Sequence, residues 1–126
     1  MSEVEDCLRQ VMAIRGALGA SLIDHTSGQT VGSVGRGPSG DQWITAAGTS
    51  EVVRATVQSA AFASAGRPGY VDDIVITATN GYHMIHFLPT TLGIRLVLYI
   101  WLDRLIGNLA MTQRCVRSIT SSFVPG

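Results

Sequence analysis

Asp41–Gly66 reads DQWITAAGTSEVVRATVQSAAFASAG, and its periodicity predicts a helix with two apolar sides rather than one. At 3/4 spacing Val52, Ala55, Ser59, Phe62 and Gly66 fall along one face, and Val53, Val57, Ala60, Ala61 and Ser64 along a second. Glu51, Arg54 and Gln58 form a narrow polar seam between them. A surface helix of a monomer needs one apolar stripe and turns a broad polar side to water. Two stripes predict a sheet under one face and a further contact on the other. The short side chains of the second face suit a close helix–helix contact across a two-fold axis, which makes Val53, Val57, Ala60, Ala61 and Ser64 the expected dimer contact. The competing reading is a helix wholly buried in a monomer, for which 126 residues leave few covering elements.

The composition points the same way. The length fits one domain, spanning 1–126, and the 46% hydrophobic content against 14% charged residues is high for a lone small domain. Nine basic and nine acidic residues balance, so no electrostatic footprint for nucleic acid or an anionic membrane is expected. All nine basic residues are arginine, which suggests a GC-rich coding genome. Cys7 and Cys115 lie far apart in helical patterns without metal-ligand spacing, and read as reduced, half-buried thiols. No secretory leader pattern opens the chain and no apolar run reaches spanning length, so a cytoplasmic protein without membrane insertion is expected.

Outward from the central helix, Ser2 to Glu5 forms a capping box for a short helix carrying Val4, Leu8, Val11 and Met12, with Gly16 as its stop. Ala17–Asp24 and Gln29–Val34 read as strands joined by a turn at Thr26-Ser27-Gly28, with His25 as a solvated turn residue. Gly19, Ala20 and Ser21 are small, as expected where helices press on a sheet. Gly35–Gly40 spells G-x-G-x-x-G, yet the preceding strands look like a hairpin and no acidic residue stands about 20 positions on. A mobile loop is the expectation there, and no cofactor.

Gly66-Arg67-Pro68-Gly69 is the expected end of the long helix. Ile74–Thr77 is a strand, Asn80-Gly81 a hairpin turn, and Tyr82–Leu88 the returning strand. After a turn at Pro89–Gly93, Ile94–Leu102 is apolar almost throughout and belongs at the centre of a sheet covered on both faces. His83 and His86, three apart on one strand, point to opposite faces and cannot share a metal from that strand. Asp103 is expected to cap a last helix with Leu105, Leu109, Val116, Ile119 and Phe123 inward, and Arg104, Gln113, Arg114 and Arg117 outward.

Helix, two strands, long helix, three-strand meander and helix, with Gly16–Asp24 and Gly28, Ile74–Gly81, and Asn108–Met111 with Arg114 and Arg117, resembles the roadblock (dynein light chain) family over nearly the whole chain. The resemblance implies a bacterial, actinobacterial member with an α/β (α+β), roadblock/profilin-like fold. In that fold a five-stranded antiparallel sheet carries one long helix on one face and two terminal helices on the other. It also implies a non-enzymatic homodimer whose long helices lie side by side and whose third strands pair, which adds Ile74 and Ile76 to the expected interface. Further expected partners are a small Ras-like GTPase and a sensor-kinase-like protein. Trp43, Glu51, Arg54 and Gln58 are the candidates for GTPase contact. The chain departs from the family at His25-Thr26-Ser27-Gly28 and in its glycine-rich 35–40 loop.

Two other functions compete with this one. A small-molecule sensor domain would need a convergent polar cluster, which the sequence does not offer. An enzyme would need paired titratable groups, whereas the carboxylates gather only in the first helix and at Asp72-Asp73, beside a turn where solvation accounts for them. No catalytic, cofactor-binding or metal-binding residue is expected.

Overall fold

A computed structural model describes residues 2–62, 71–88 and 95–123. Helix α1 spans Glu3–Met12, strands β1 and β2 span Ala17–Asp24 and Gln29–Gly35, and the long helix α2 spans Gln42–Gln58. Strands β3 (Asp73–Ala78), β4 (Gly81–Phe87) and β5 (Leu96–Leu102) follow, and α3 (Leu109–Ser121) closes the order. All five strands form one sheet in the order β2-β1-β5-β4-β3, with every pairing antiparallel. β5 sits at its centre and is buried at every position except Trp101. That agrees with its unbroken apolar run.

The two faces carry separate cores. On one, α1 and α3 pack Leu8, Val11 and Val116 over Leu22, Met84, Leu98 and Ile100. On the other, α2 packs Ala46 and Val53 over Ile23, Ile85, Val97 and Tyr99. One long helix therefore faces two terminal helices across the sheet, as the resemblance implied. The N-caps predicted at Ser2 and Asp41 form: the Ser2 hydroxyl accepts from the Glu5 amide at 3.1 Å, and Asp41 Oδ1 accepts from the Trp43 amide at 2.9 Å. Glu5 completes the Ser2 cap by accepting from the hydroxyl at 3.2 Å rather than from an amide.

Three expectations need correcting. Helix α2 stops at Gln58; Ser59 is extended (φ −78°, ψ 127°) and its hydroxyl accepts from the Ala61 amide at 3.2 Å. That local bond offers the backbone an alternative to another helical turn. Ala60 and Ala61 are thus exposed turn residues rather than part of a helical stripe. Ser64, Gly66–Gly69, the 89–93 turn and Ile94 lie outside the described residues. Val53 is 0% exposed beneath α2, so its own sheet takes it and no partner helix reaches it.

The third correction concerns the approach to α3. Asn108, not Asp103, caps it, with Oδ1 accepting from the Met111 amide at 2.9 Å. Leu105 lies outside the helix and is 95% exposed.

Gly19 is small for a different reason from the one expected. A Cβ there would sit 1.8 Å from the Arg36 carbonyl oxygen, because the chain leaving β2 crosses directly over it. Gly35, paired with Gly19, turns at φ 73° to start that crossing.

Candidate interaction surface

Beyond its buried side, α2 presents two stripes. Trp43 (68% exposed), Glu51, Arg54 and Gln58 are all exposed, and helical spacing sets them on one flank. Ile44, Gly48 and Ala55 are exposed on the other, with Val52 half-buried beside them. Val57 is half-buried against the α2 core, so it is only marginally outward.

The second flank looks onto a groove. A cavity of about 320 Å³ runs between α2 and strands β3 and β4, walled by Ile44, Gly48, Val52, Ile76 and Ile85. At its floor His83 Nδ1 lies 2.7 Å from the Tyr99 hydroxyl. Burial pushes the His83 pKa down and the Tyr99 pKa up, which favours the neutral form of each, and among the described residues no charged side chain lines the groove. β3 is an edge strand, with Val75 and Ile76 36% and 42% exposed; Ile74 is half-buried in the α2-side core.

The glycine-rich loop forms a second cavity of about 660 Å³ under residues 36–41, lined by Ser21, Ser33, Arg36, Trp43 and Tyr99 among others. The arrangement differs from a dinucleotide site. Its flanking strands are an antiparallel hairpin, and the Asp41 carboxylate already occupies the helix N-terminus where a phosphate would sit.

On the opposite face the structure joins residues that sequence spacing does not connect. His86 Nδ1 is 2.6 Å from Asp73 Oδ1, and Nε2 is 3.1 Å from Thr120 Oγ1. The Thr120 hydroxyl donates to the Val116 carbonyl at 2.8 Å. Asp73 is therefore not a solvated turn residue; its side chain is 11% exposed. Carboxylate, imidazole and hydroxyl stand in the order of a hydrolase triad, but His86 and Thr120 are 6% and 2% exposed. A nucleophile needs access to its substrate, so this chain of bonds is a pin between α3 and the strands. The partners come from three elements, which is why no local motif announces them. As expected, His83 and His86 lie on opposite faces. Cys7 is buried, with its thiol pKa pushed up by burial, and Cys115 is half-buried; both are free.

No protein-family model and no curated protein sequence matches the chain. Solved structures do. Myxococcus xanthus MglB superposes with a TM-score of 0.77 at 16% identity, over 96% of this chain and 91% of that one. A roadblock/LC7 domain from Streptomyces avermitilis gives 0.74 at 16% identity, over 96% and 94%. An MglB with a tetrameric arrangement gives 0.67 at 14% identity, over 96% and 90%. The chain has the roadblock/LC7 fold. Within that fold, MglB is one of the proteins it resembles over most of both chains. Among the described residues no helix is long and apolar enough to cross a membrane.

Proposed function

We propose that the chain is a non-enzymatic homodimeric regulator of a small Ras-like GTPase in a bacterial signalling module, together with a sensor-kinase-like protein. The observation that carries this reading is the outer half of α2. An apolar stripe and a polar stripe stand side by side there, next to an apolar groove and a β3 edge that no described residue covers. A second copy laid antiparallel on that edge would pair β3 with β3 and seat its α2 against Ile44, Gly48, Val52 and Ala55. Ile76 would be covered in the same contact, with Ile74 and Val57 at its margin. The polar stripe, Trp43, Glu51, Arg54 and Gln58, would remain outside the dimer and form the GTPase platform. Likeness to MglB, one structure of which is described as a tetrameric arrangement, supports assembly of this kind.

The test begins with affinity capture from the native cytosol and mass-spectrometric identification of what is bound. A small Ras-like GTPase is expected. Arg54→Glu should then weaken its binding about tenfold, a change of ~1.4 kcal/mol, while the dimer mass holds. Repeated recovery of nothing but the chain, with the GTPase expressed, would overturn the proposal; unchanged affinity by calorimetry would remove this platform from it. A second reading, a small-molecule sensor, is favoured by the cavity under the 36–41 loop. A thermal-shift screen decides it, since a ligand that binds only the folded state raises the melting temperature.

A further inference from the structure

Three large apolar side chains in and just before α3 stand outside both cores: Leu105, Ile106 and Met111, exposed by 95%, 54% and 58%. The turn that presents the first two is firmly tied. Asp103 Oδ1 accepts from the amides of Leu105 and Ile106, each at 2.8 Å, and the Gly107 amide donates to the Asp103 carbonyl at 2.9 Å. The Asp103 amide in turn donates to the Gly16 carbonyl at 2.8 Å. Gly16 and Gly107 press so close that a Cβ on Gly16 would meet Gly107 Cα at 2.7 Å. The exposure is therefore built into the fold. It is not the fraying of a loose loop.

Beside this turn two adjoining cavities, of about 250 and 660 Å³, share Ile14, Arg15 and Met111. The larger continues along α3 past Cys115 to Ile119. Met111, Cys115 and Ile119 repeat at i, i+4 and i+8, a run of roughly 12 Å at 1.5 Å per residue. That is the length of two turns of a docked helix. A peptide added as a β-strand would need a sheet edge for its backbone, and α1 and α3 offer none.

Within these two cavities the charge has one sign, while a third cavity that shares Gln10 and Ile119 with the larger one is lined by Glu3 and Asp6, the latter paired with Arg9. Arg15 and Arg114 stand exposed at its rim, and among the described residues neither has an ion pair. Among the described residues no carboxylate lines either cavity. Arg104 and Arg117 belong elsewhere: the first donates to the Ala78 carbonyl at 2.9 Å and lies over Tyr82, and the second sits 3.9 Å from Asp73. In a chain of zero formal charge, two unpaired arginines beside an apolar trough mark one local sign.

We propose that the groove formed by Ile14, Ile106, Met111 and Cys115, with Arg15 and Arg114 at its rim, docks an acidic amphipathic helix of a partner protein. The chain's own acidic helix, α1, does not qualify, because its apolar face (Cys7, Leu8 and Val11) is already buried in the core. The groove lies across the sheet from α2, so a partner here and a partner on α2 would not compete.

The probe is a displayed library of random helical peptides, selected on the full chain and counter-selected on the Arg15→Glu/Arg114→Glu variant. All substituted positions are exposed, and melting curves of both proteins check that the variant folds. Enriched peptides should carry an apolar i, i+4 stripe flanked by Glu or Asp. They should bind the variant at least about tenfold more weakly, and Met111→Glu should weaken them as well. Enrichment of basic or neutral helices overturns the proposal, as does equal binding to both proteins or no enrichment. Two other results overturn it by naming a different occupant. One is a concentration-dependent gain in mass that Met111→Glu abolishes, meaning a second copy. The other is binding to phosphatidylglycerol-containing vesicles that the charge reversal abolishes, meaning a lipid surface.

Discussion

His86 shows how much a single side chain fixes in this molecule. Its ring touches the start of β3 through Asp73 and the last turns of α3 through Thr120, while it stands on β4 itself. Removing one member strands the others without water, because His86 and Thr120 are both nearly inaccessible. His86→Leu should cost about 1–3 kcal/mol in urea unfolding, the range for leaving buried polar partners without their hydrogen bond. The same substitution should leave α2-side binding unaffected, since the pin lies on the other face. A cost within experimental error would show that α3 is held by Val116 and Ile119 alone. Asp73, His86 and Thr120 are 13 and 34 residues apart along the chain, so their meeting depends on the sheet order and not on any local pattern.

At the level of elements, what was readable was whatever local chemistry dictates. Ser2, Asp41 and Asn80-Gly81 mark real boundaries, because caps and tight turns answer to neighbours a few residues away. The end of α2 was not readable. Ser59-Ala60-Ala61-Phe62 continues helical spacing and contains no residue that forbids a helix, yet the chain turns there. Leu105 misled for a related reason: an apolar residue after an acidic one resembles a capped helix start, and only the tie between Asp103 and Gly16 shows otherwise. The crossing above Gly19 gives this scale its prediction. Gly19→Ala would place a methyl against main-chain atoms that have no rotamer to escape through. It should destabilise the chain by about 1–3 kcal/mol, the usual cost of overpacking, seen as a lower melting temperature. Gly48→Ala, where an added Cβ meets nothing within 4 Å of the same chain, should instead be neutral or stabilising for a lone chain.

For the whole molecule, the exposed flank of α2 was legible in outline: Trp43, Glu51, Arg54 and Gln58, set together by helical spacing, all stand exposed on it. Which apolar residues face outward was not, because Val52 and Val53 are neighbours in sequence and the direction of the sheet alone decides between them. The interface proposed above makes β3 the place to test assembly. Ile76→Lys puts a charge on an exposed edge position, so the fold should survive while light scattering falls to the single-chain mass of 13.4 kDa. Retention of the larger mass would rule this edge out of the contact.

The β3 edge also has a consequence for the life of the chain before it meets anything. Val75 and Ile76 stand on a strand whose outer backbone groups have no neighbour in the sheet among the described residues, and no charged or proline residue between Ile74 and Ala78 blunts it. Such an edge is a template for unwanted strand addition. Newly made chains in excess of whatever covers this edge would be drawn towards insoluble aggregates. Supply matched to demand would then matter as much to this protein in the cell as the strength of its fold.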